Sequence, residues 1–278
     1  MLGYLTGTGG RRLDYMRRGR GTPLLLIQGM GAHHAMWGEE LLSLLEPEFD
    51  IVAYDHRGVG RGDRADEAFS TADLAEDAAA VVRSLGWSDA LVFGVSLGGM
   101  VAQELVLRHP ELVRALAIGC TWAGGPDGVM SETSRRMVEA FATRDPDHAT
   151  KTSFEANFSR RFAAETSGLF ENYQSHALSV KVPVPVIQLQ WQAALAHDTG
   201  DRLGSVNRPA TVLHGTADAG IPVVNGHRLA GLIPGAQLEL FDGAGHLFWW
   251  EDPLRTAGVL TRLKRRAADR NDAQGWTT

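Results

Sequence analysis

Short, continuously apolar runs alternate with amphipathic segments along most of the chain. The apolar runs cover residues 23–28, 49–55, 90–95, 113–121 and 210–215, and each ends in a glycine-rich or polar turn. Strands that are covered on both faces require continuous rather than alternating apolarity. Residues 236–241 do alternate, which is typical of a strand nearer a sheet edge. The pattern predicts an α/β fold with a mostly parallel central sheet and helices on both faces.

Four helices are predicted between and after these strands. They cover residues 72–85, 97–109, 222–232 and 250–266. Ser70 and Asp73 have the spacing of a capping box, and Gly86 suits the C-terminal end of the first helix. Residues 97–109 are apolar around most of the helix circumference, which predicts a deeply buried helix ending before Pro110.

The alternation lapses between residues 122 and 207. Helical signals and scattered phenylalanines continue there, but strand signals almost vanish. A structureless loop of this length is uncommon in a compact domain. We therefore predict a core domain of residues 1–121 and 208–278, with residues 122–207 inserted as a helical cap. The name cap is used below for residues 122–207.

Composition and charge narrow the class of protein. The chain has 278 residues, 44% apolar and 22% charged, and a net charge of −6, which gives no electrostatic reason to bind nucleic acid. The single cysteine, Cys120, excludes an intrachain disulfide and multi-cysteine metal sites, and we expect it to be a small buried hydrophobe. No N-terminal secretion signal and no apolar stretch of ~18 residues is present, so we expect a cytoplasmic protein without a membrane span.

One serine lies between glycines where a predicted strand turns into a helix. Gly94-Val95-Ser96-Leu97-Gly98 has the Gly-x-Ser-x-Gly pattern of a nucleophile elbow. Such a turn is sharp, and glycines at positions 94 and 98 avoid collisions within it. It presents the serine hydroxyl beside a helix N-terminus, where a developing negative charge meets free N–H groups. Ser96 is therefore the predicted nucleophile.

A serine nucleophile needs a base, and the base needs an orienting acid. His246 lies in a glycine-rich loop between the last predicted strand and the last helix, at the strand-end edge that also carries Ser96. Asp218 follows the strand at 210–215 and gives the chain order Ser, Asp, His. Asp127 is a reserve candidate for the acid.

The other histidines are assigned different roles. His109 ends a helix and His214 ends a strand, so structural roles are expected for both. His33, His34 and His56 lie in loops at the predicted active edge, where they are candidates for pocket lining rather than for the base.

Two backbone N–H groups are expected to form the oxyanion hole. One is the amide of Leu97, directly after the nucleophile, and the other is the amide of Met30 in the loop after the strand at 23–28. The predicted pocket-lining side chains are Gln28, His33, Trp122, Trp191 and Leu247.

An alternative interpretation of the N-terminal segment is a dinucleotide-binding site. "LLLIQGMGAHH", a helix and a strand ending in Asp55 partly imitate that fingerprint, but His34 stands where the third glycine belongs. The loss of that glycine prevents the helix from packing closely on the strand. No metal or other nucleotide motif is present, so no cofactor and no metal are expected.

Five ordered motifs resemble those of the α/β-hydrolase superfamily, over residues 24–263. They are "LIQGMG", "YDHRGVGRG", "GVSLGG", "LHGTADAGIP" and "GAGHLFWWEDP". Within the superfamily, "GVSLGGMVAQELVLRHPELVRAL" is similar to bacterial carboxylesterases and enol-lactonases. The resemblance implies a triad of Ser96, Asp218 and His246 and a cap over the pocket. It departs from the family pattern at Gln28, where a histidine is usual, and at Arg61-Gly62, where a serine is frequent.

The sequence thus predicts a serine hydrolase that cleaves carboxylic esters or lactones of a small hydrophobic substrate through an acyl-enzyme. Alternatives with the same triad are a carbon–carbon bond hydrolase, a thioesterase or acyltransferase, and a perhydrolase. A carbon–carbon hydrolase needs a further polar group, for which Arg160 and Arg161 are the candidates. The other class considered is a non-catalytic ligand-binding homologue. The sequence specifies neither the natural substrate nor the oligomeric state.

Overall fold

One eight-stranded sheet forms the centre of the protein. The structure is a computed structural model that describes residues 2–126 and 128–273. The strands are β1 (Leu2–Thr6), β2 (Arg12–Gly19), β3 (Thr22–Ile27), β4 (Phe49–Tyr54), β5 (Ala90–Val95), β6 (Val113–Gly119), β7 (Ala210–Gly215) and β8 (Gln237–Phe241). Their order across the sheet is β1-β2-β4-β3-β5-β6-β7-β8. Strands β3 to β8 run parallel to one another, whereas β2 is antiparallel to both of its neighbours, β1 and β4. The predicted α/β-hydrolase fold is confirmed.

Helices cover both faces of the sheet. They are α1 (Glu39–Leu45), α2 (Thr71–Ser84), α3 (Leu97–Arg108), α4 (Glu132–Ala142), α5 (Pro146–Asn157), α6 (Arg160–Glu165), α7 (Leu169–Ala177), α8 (Val184–Leu195), α9 (Val224–Leu232), α10 (Phe248–Glu251) and α11 (Pro253–Ala273). Leu25 and Ile27 belong to one hydrophobic cluster with α2 and α3. Leu24 and Leu26 belong to a second cluster with α1 and α11. Because successive strand residues point to opposite faces, both faces need apolar side chains, which explains the continuous runs.

The capping box before α2 is present as predicted. The Ser70 Oγ accepts the N–H of Asp73, and the Asp73 carboxylate accepts the N–H of Ser70. The last predicted helix differs, because it divides into α10 and α11 with a break at Asp252. Pro253 starts the second piece, at a position where its missing N–H has no acceptor within the helix.

The N-terminal hairpin of β1 and β2 was not predicted. Its strands are partly exposed, so they lack a continuous apolar run. Arg17 in β2 is held by the carboxylate of Asp50 on the neighbouring strand at 2.8 Å. Pairing across the sheet, which is a tertiary contact, therefore fixes a segment that carries little local strand signal.

Five of the helices, α4 to α8, follow one another between β6 and β7. Several hydrogen bonds attach this segment to loops at the carboxyl ends of the strands, and two of them lie next to the site. The N–H of Gly31 donates to Gln190 Oε1 at 2.9 Å, and the N–H of Leu247 donates to the carbonyl of Asn157 at 2.9 Å. These helices cover the edge at which β5 ends. The division of the chain into a core and a cap stays a prediction.

Among the described residues, no helix combines the length and apolarity that crossing a bilayer requires.

Candidate active site

Ser96 sits in the strained turn between β5 and α3. Its backbone has φ 53° and ψ −122°, a conformation that residues with a side chain rarely adopt. A Cβ at Gly94 would overlap the carbonyl oxygen of Gly98, and a Cβ at Gly98 would overlap the carbonyl oxygens of Ile27 and Gln28. Both glycines are thus required by close approach of the backbone. The turn leaves Ser96 partly exposed at the base of a cavity.

His246 and Asp218 form the central hydrogen bond of the site. The Nδ1–H of His246 donates to Asp218 Oδ2 at 2.7 Å, and the Asp218 side chain is fully buried. Burial opposes the protonated imidazole, but the Asp218 carboxylate outweighs it, so the pKa of His246 is held well above its ordinary value. Burial likewise opposes the Asp218 carboxylate, yet His246 and His214 hold its pKa far below the usual range.

Two further side chains surround this pair. His214, at the end of β7, donates from Nε2 to the carbonyl of Ile221 at 2.8 Å and lies 3.5 Å from Asp218 Oδ2. Cys120 follows β6 with φ 41° and is buried against His246, and burial raises the pKa of its thiol. Sequence reasoning gave His214 a structural role and treated Cys120 as a small hydrophobe. Their places at the ends of adjacent strands were the signal for a position beside the acid.

The remaining candidate histidines are engaged elsewhere. His34 donates from Nδ1 to Asp55 Oδ2 at 3.0 Å, and His56 Nε2 donates to the carbonyl of Gln28 at 2.9 Å. His109 Nε2 is 2.9 Å from Glu76 Oε2. These contacts stabilise loops and a helix end, which leaves His246 as the histidine that shares a cavity with Ser96.

The two residues predicted to donate to the oxyanion both line the smaller of the cavities at Ser96. Leu97 is the first residue of α3, where an N–H has no acceptor one turn earlier. Met30 belongs to the loop after β3 and lines the cavity together with Ser96. The side-chain oxygen of Gln28 accepts the N–H of Gly29 at 3.1 Å, so it stabilises this loop. In the described part of the chain, Gln28 Nε2 is buried without a hydrogen-bond partner.

Two cavities meet at Ser96 and His246. The larger has a volume of about 730 Å³ and the smaller about 40 Å³. Of the predicted lining residues, Gln28 and Leu247 line the larger cavity and Trp191 lines the smaller one. His33 and Trp122 line neither, contrary to the expectation. His33 is buried against the carbonyl of Ala177, and Trp122 packs in the core, where its carbonyl accepts Gln103 Nε2.

A polar cluster in the cap was missed by the sequence reasoning. Ser153 Oγ and the Tyr173 hydroxyl are 2.7 Å apart, and Asn157 Nδ2 donates to both. All three side chains line the larger cavity. They come from α5 and α7, and packing between helices brings them together, so no local pattern indicated them.

The acids that could hold a metal or a nucleotide are already engaged in hydrogen bonds with histidines. Ligand atoms of Cys120, Asp218 and His246 lie within 4.8 Å of one another, but Asp218 Oδ2 and His246 Nδ1 already share a hydrogen bond. Asp55, the acid of the dinucleotide reading, is buried and bonded to the N–H and the ring of His34. The reserve acid, Asp127, lies outside the described residues.

Comparisons with known proteins identify a family model and several proteins that are similar to this chain. A family model described as alpha/beta hydrolase fold matches residues 22–253. A protein of Azorhizobium caulinodans, provisionally named carbamate hydrolase RutD, is 28% identical over 236 residues, covering 85% of this chain and 88% of that protein. The non-heme haloperoxidase of Rhodococcus erythropolis is 26% identical over 259 residues, covering 87% and 92%. The crystal structure of the esterase RhEst1 from Rhodococcus sp. ECU1013 superposes with a TM-score of 0.81 at 25% identity, covering 95% of this chain and 98% of that one.

The chain therefore belongs to the α/β-hydrolase family. It is an enzyme of that family, a hydrolase with esterases among its structural neighbours. The site places a hydroxyl, an imidazole and a buried carboxylate at one edge of the sheet, next to a helix N-terminus. Such a set of groups is suited to nucleophilic attack on a carbonyl carbon.

Proposed function

We propose that the protein is a serine hydrolase that cleaves carboxylic esters or lactones of small hydrophobic substrates through an acyl-enzyme. The observation that carries the proposal is the 2.7 Å bond from His246 to buried Asp218, with the imidazole opening into the cavity that Ser96 also lines. Asp218 fixes the tautomer in which Nε2 has a free lone pair for the serine proton.

The mechanism assigns one role to each group. Ser96 attacks the carbonyl carbon while His246 takes its proton, and His246 then protonates the leaving alkoxide. Asp218 stabilises the imidazolium that exists between these steps. The N–H groups of Met30 and Leu97 receive the oxyanion, and water repeats the sequence to release the acid.

The cavity supports a hydrophobic substrate. Its walls include Met137, Phe141, Ile187 and Trp249, and its volume falls in the range of small-molecule sites. The cap supplies most of these side chains.

The structure bears on one of the alternative reactions, and a relative bears on another. Arg161, a candidate for polarising a second carbonyl in a carbon–carbon hydrolase, is not among the residues that line either cavity and lies beside Gly243. A perhydrolase differs from an esterase only in the nucleophile that deacylates the enzyme, so the haloperoxidase relative keeps that reaction as the second candidate.

The decisive experiment is labelling with a fluorophosphonate probe. We expect the wild type to be labelled and Ser96→Ala to be inert, because only an activated serine reacts. Ser153→Ala, which removes another serine of the same cavity, is the matched control and should retain labelling. Unchanged labelling of Ser96→Ala contradicts the proposal.

Turnover then separates the reaction classes. The substrates are p-nitrophenyl esters, lactones, thioesters and a diketone. Perhydrolysis is measured separately with acetate and hydrogen peroxide, where the peroxyacid formed oxidises added bromide and the oxidised bromide brominates an indicator dye. We expect ester or lactone turnover that His246→Ala abolishes. A ligand receptor without catalysis would hydrolyse none of them.

A further inference from the structure

The two cavities at Ser96 differ about eighteenfold in volume and point to a substrate with two unequal halves. We propose, on the basis of the function above, that the enzyme prefers esters in which a short acyl group is joined to a larger hydrophobic alcohol. The short acyl group occupies the smaller cavity, and the alcohol occupies the larger one.

The size of the smaller cavity limits what it holds. Its volume of about 40 Å³ is roughly three times the ~10–15 Å³ that a cavity needs to hold a single water molecule, and it is far smaller than that of the neighbouring cavity. A short acyl chain fits this space, whereas a long chain would force the walls apart, which packed interiors resist.

The walls of the smaller cavity favour an apolar group. Leu97, Met100, Trp191 and Ile221 contribute apolar surface. The one hydroxyl besides Ser96, that of Ser134, already donates to the carbonyl of Gly220 at 2.9 Å. A polar substituent would therefore lose its bonds to water without full replacement.

Access to solvent determines which half of the ester goes where. None of the residues that line the smaller cavity is exposed, whereas the larger cavity reaches exposed residues at its rim, among them Arg144, Pro146 and Lys181. In an acyl-enzyme mechanism the alcohol leaves first, and water then enters while the acyl group stays on Ser96.

An alcohol in the larger cavity leaves directly to solvent and vacates the path for water. An acyl chain in the larger cavity would instead block both the departing alcohol and the incoming water. The arrangement with a short acyl group in the smaller cavity is therefore the one that keeps the path for alcohol and water open.

Two isomeric esters test the proposal in the wild-type enzyme. Hexyl acetate and methyl heptanoate have the same composition but distribute the carbons oppositely around the ester group. We expect kcat/KM, measured by acid release, to be at least about 50-fold higher for hexyl acetate, since each misplaced methylene in a hydrophobic site costs ~10-fold or more. Equal values, or a preference for methyl heptanoate, overturn the proposal.

A pair of variants tests the assignment of the cavities. Trp191→Ala enlarges the smaller cavity and should raise the ratio of kcat/KM for hexyl butanoate over hexyl acetate by about 10-fold. Phe141→Ala removes a comparable aromatic wall from the larger cavity and should leave this ratio unchanged. If the ratio rises with Phe141→Ala and not with Trp191→Ala, the cavities are assigned wrongly. Should a variant fail to fold, the isomer comparison decides alone.

The failure of this inference is distinguishable from that of the proposed function. A protein that is labelled at Ser96 but hydrolyses neither isomer overturns the substrate preference and keeps the nucleophile. A protein that is not labelled at Ser96 overturns both.

Discussion

The His246 imidazole experiences two opposing influences, and their balance sets the pH at which it can act. Burial disfavours the imidazolium, whereas the adjacent Asp218 carboxylate favours it and dominates. A general base must be neutral before it accepts a proton, so a raised pKa shifts the onset of activity to higher pH.

We expect kcat/KM to rise with pH along an acid limb whose midpoint lies above ~6.5, the ordinary value for histidine. Asp218→Asn should lower this midpoint, because it removes the charge that stabilises the imidazolium. It should also decrease kcat by roughly 10³–10⁴-fold through loss of the productive tautomer. An unchanged midpoint in Asp218→Asn, measured with a p-nitrophenyl ester, would exclude Asp218 as the partner.

The resemblance to α/β-hydrolases predicts a histidine at position 28, and the two ends of the Gln28 amide that stands there have different surroundings. The oxygen accepts the N–H of Gly29, and Nε2 is buried beside the cavity without a partner in the described residues. A carboxylate of the same shape would place a negative charge next to the developing oxyanion.

Gln28→Glu should therefore reduce kcat/KM by about 100-fold, comparable to the loss of an oxyanion donor. Gln28→Leu removes only the bond to Gly29 and should cost about fivefold, the effect of one neutral hydrogen bond. Steady-state kinetics of both variants at one pH provide the measurement. Equal losses in the two variants would show that charge at this position is irrelevant.

The loop that carries His246 is linked to the cap by the Leu247–Asn157 backbone bond and by one side chain of α10, that of Glu251. Glu251 Oε1 accepts the N–H groups of Gly245 and Ser159, and Oε2 accepts the Ser159 hydroxyl at 2.7 Å. The cap approaches so closely that a Cβ at Gly245 would press against the backbone of residues 157–159. The position of the imidazole thus depends on a helix outside the sheet.

Glu251→Ala should lower the free energy of unfolding by about 2 kcal/mol, a value typical of lost hydrogen bonds to a charged group. It should also decrease kcat, because the imidazole loses its support. Glu251→Gln keeps one oxygen acceptor and should be milder in both respects. Urea unfolding and kinetics of the two variants test this, and a full-activity Glu251→Ala would contradict it.

Sequence patterns predicted the elements whose signal is local. The elbow around Ser96, the loops of Asp218 and His246 and the capping box at Ser70 each follow from residue types at fixed spacings. The parallel sheet then brings strand ends to one edge, which is why Asp218 and His246 meet although 28 residues separate them.

The parts of the site and of the fold that were not predicted depend on packing between segments distant in the sequence. Ser153 and Tyr173 meet because α5 packs on α7, and Trp191 reaches the smaller cavity from α8. Trp122 illustrates the opposite error, since it was predicted to line the pocket but packs in the core, where its carbonyl accepts Gln103 Nε2 of α3. The β1–β2 hairpin is fixed by its pairing with β4 in the same way.

The Asp218–His246 pair also links the stability of the whole protein to pH. Its carboxyl has a folded pKa below the unfolded value of ~3.9, so its contribution is present above that pH and is lost as the pH falls through the folded pKa. The imidazole has a folded pKa above the unfolded value of ~6.5, so its contribution is complete below that pH and is lost as the pH rises through the folded pKa. The pair therefore stabilises the protein most between about pH 4 and 6.5.

Activity requires the neutral imidazole, so this pair is most stabilising where it is least able to catalyse. We expect the difference in Tm between wild type and Asp218→Asn to be largest between about pH 4 and 6.5, and to shrink as the pH rises towards the active range. Asp242→Asn, which alters an exposed carboxylate near the same edge, should show no such dependence. Thermal unfolding across this range decides the matter, because a Tm difference that grows with pH would mean that the imidazole is not stabilised in its charged form by Asp218.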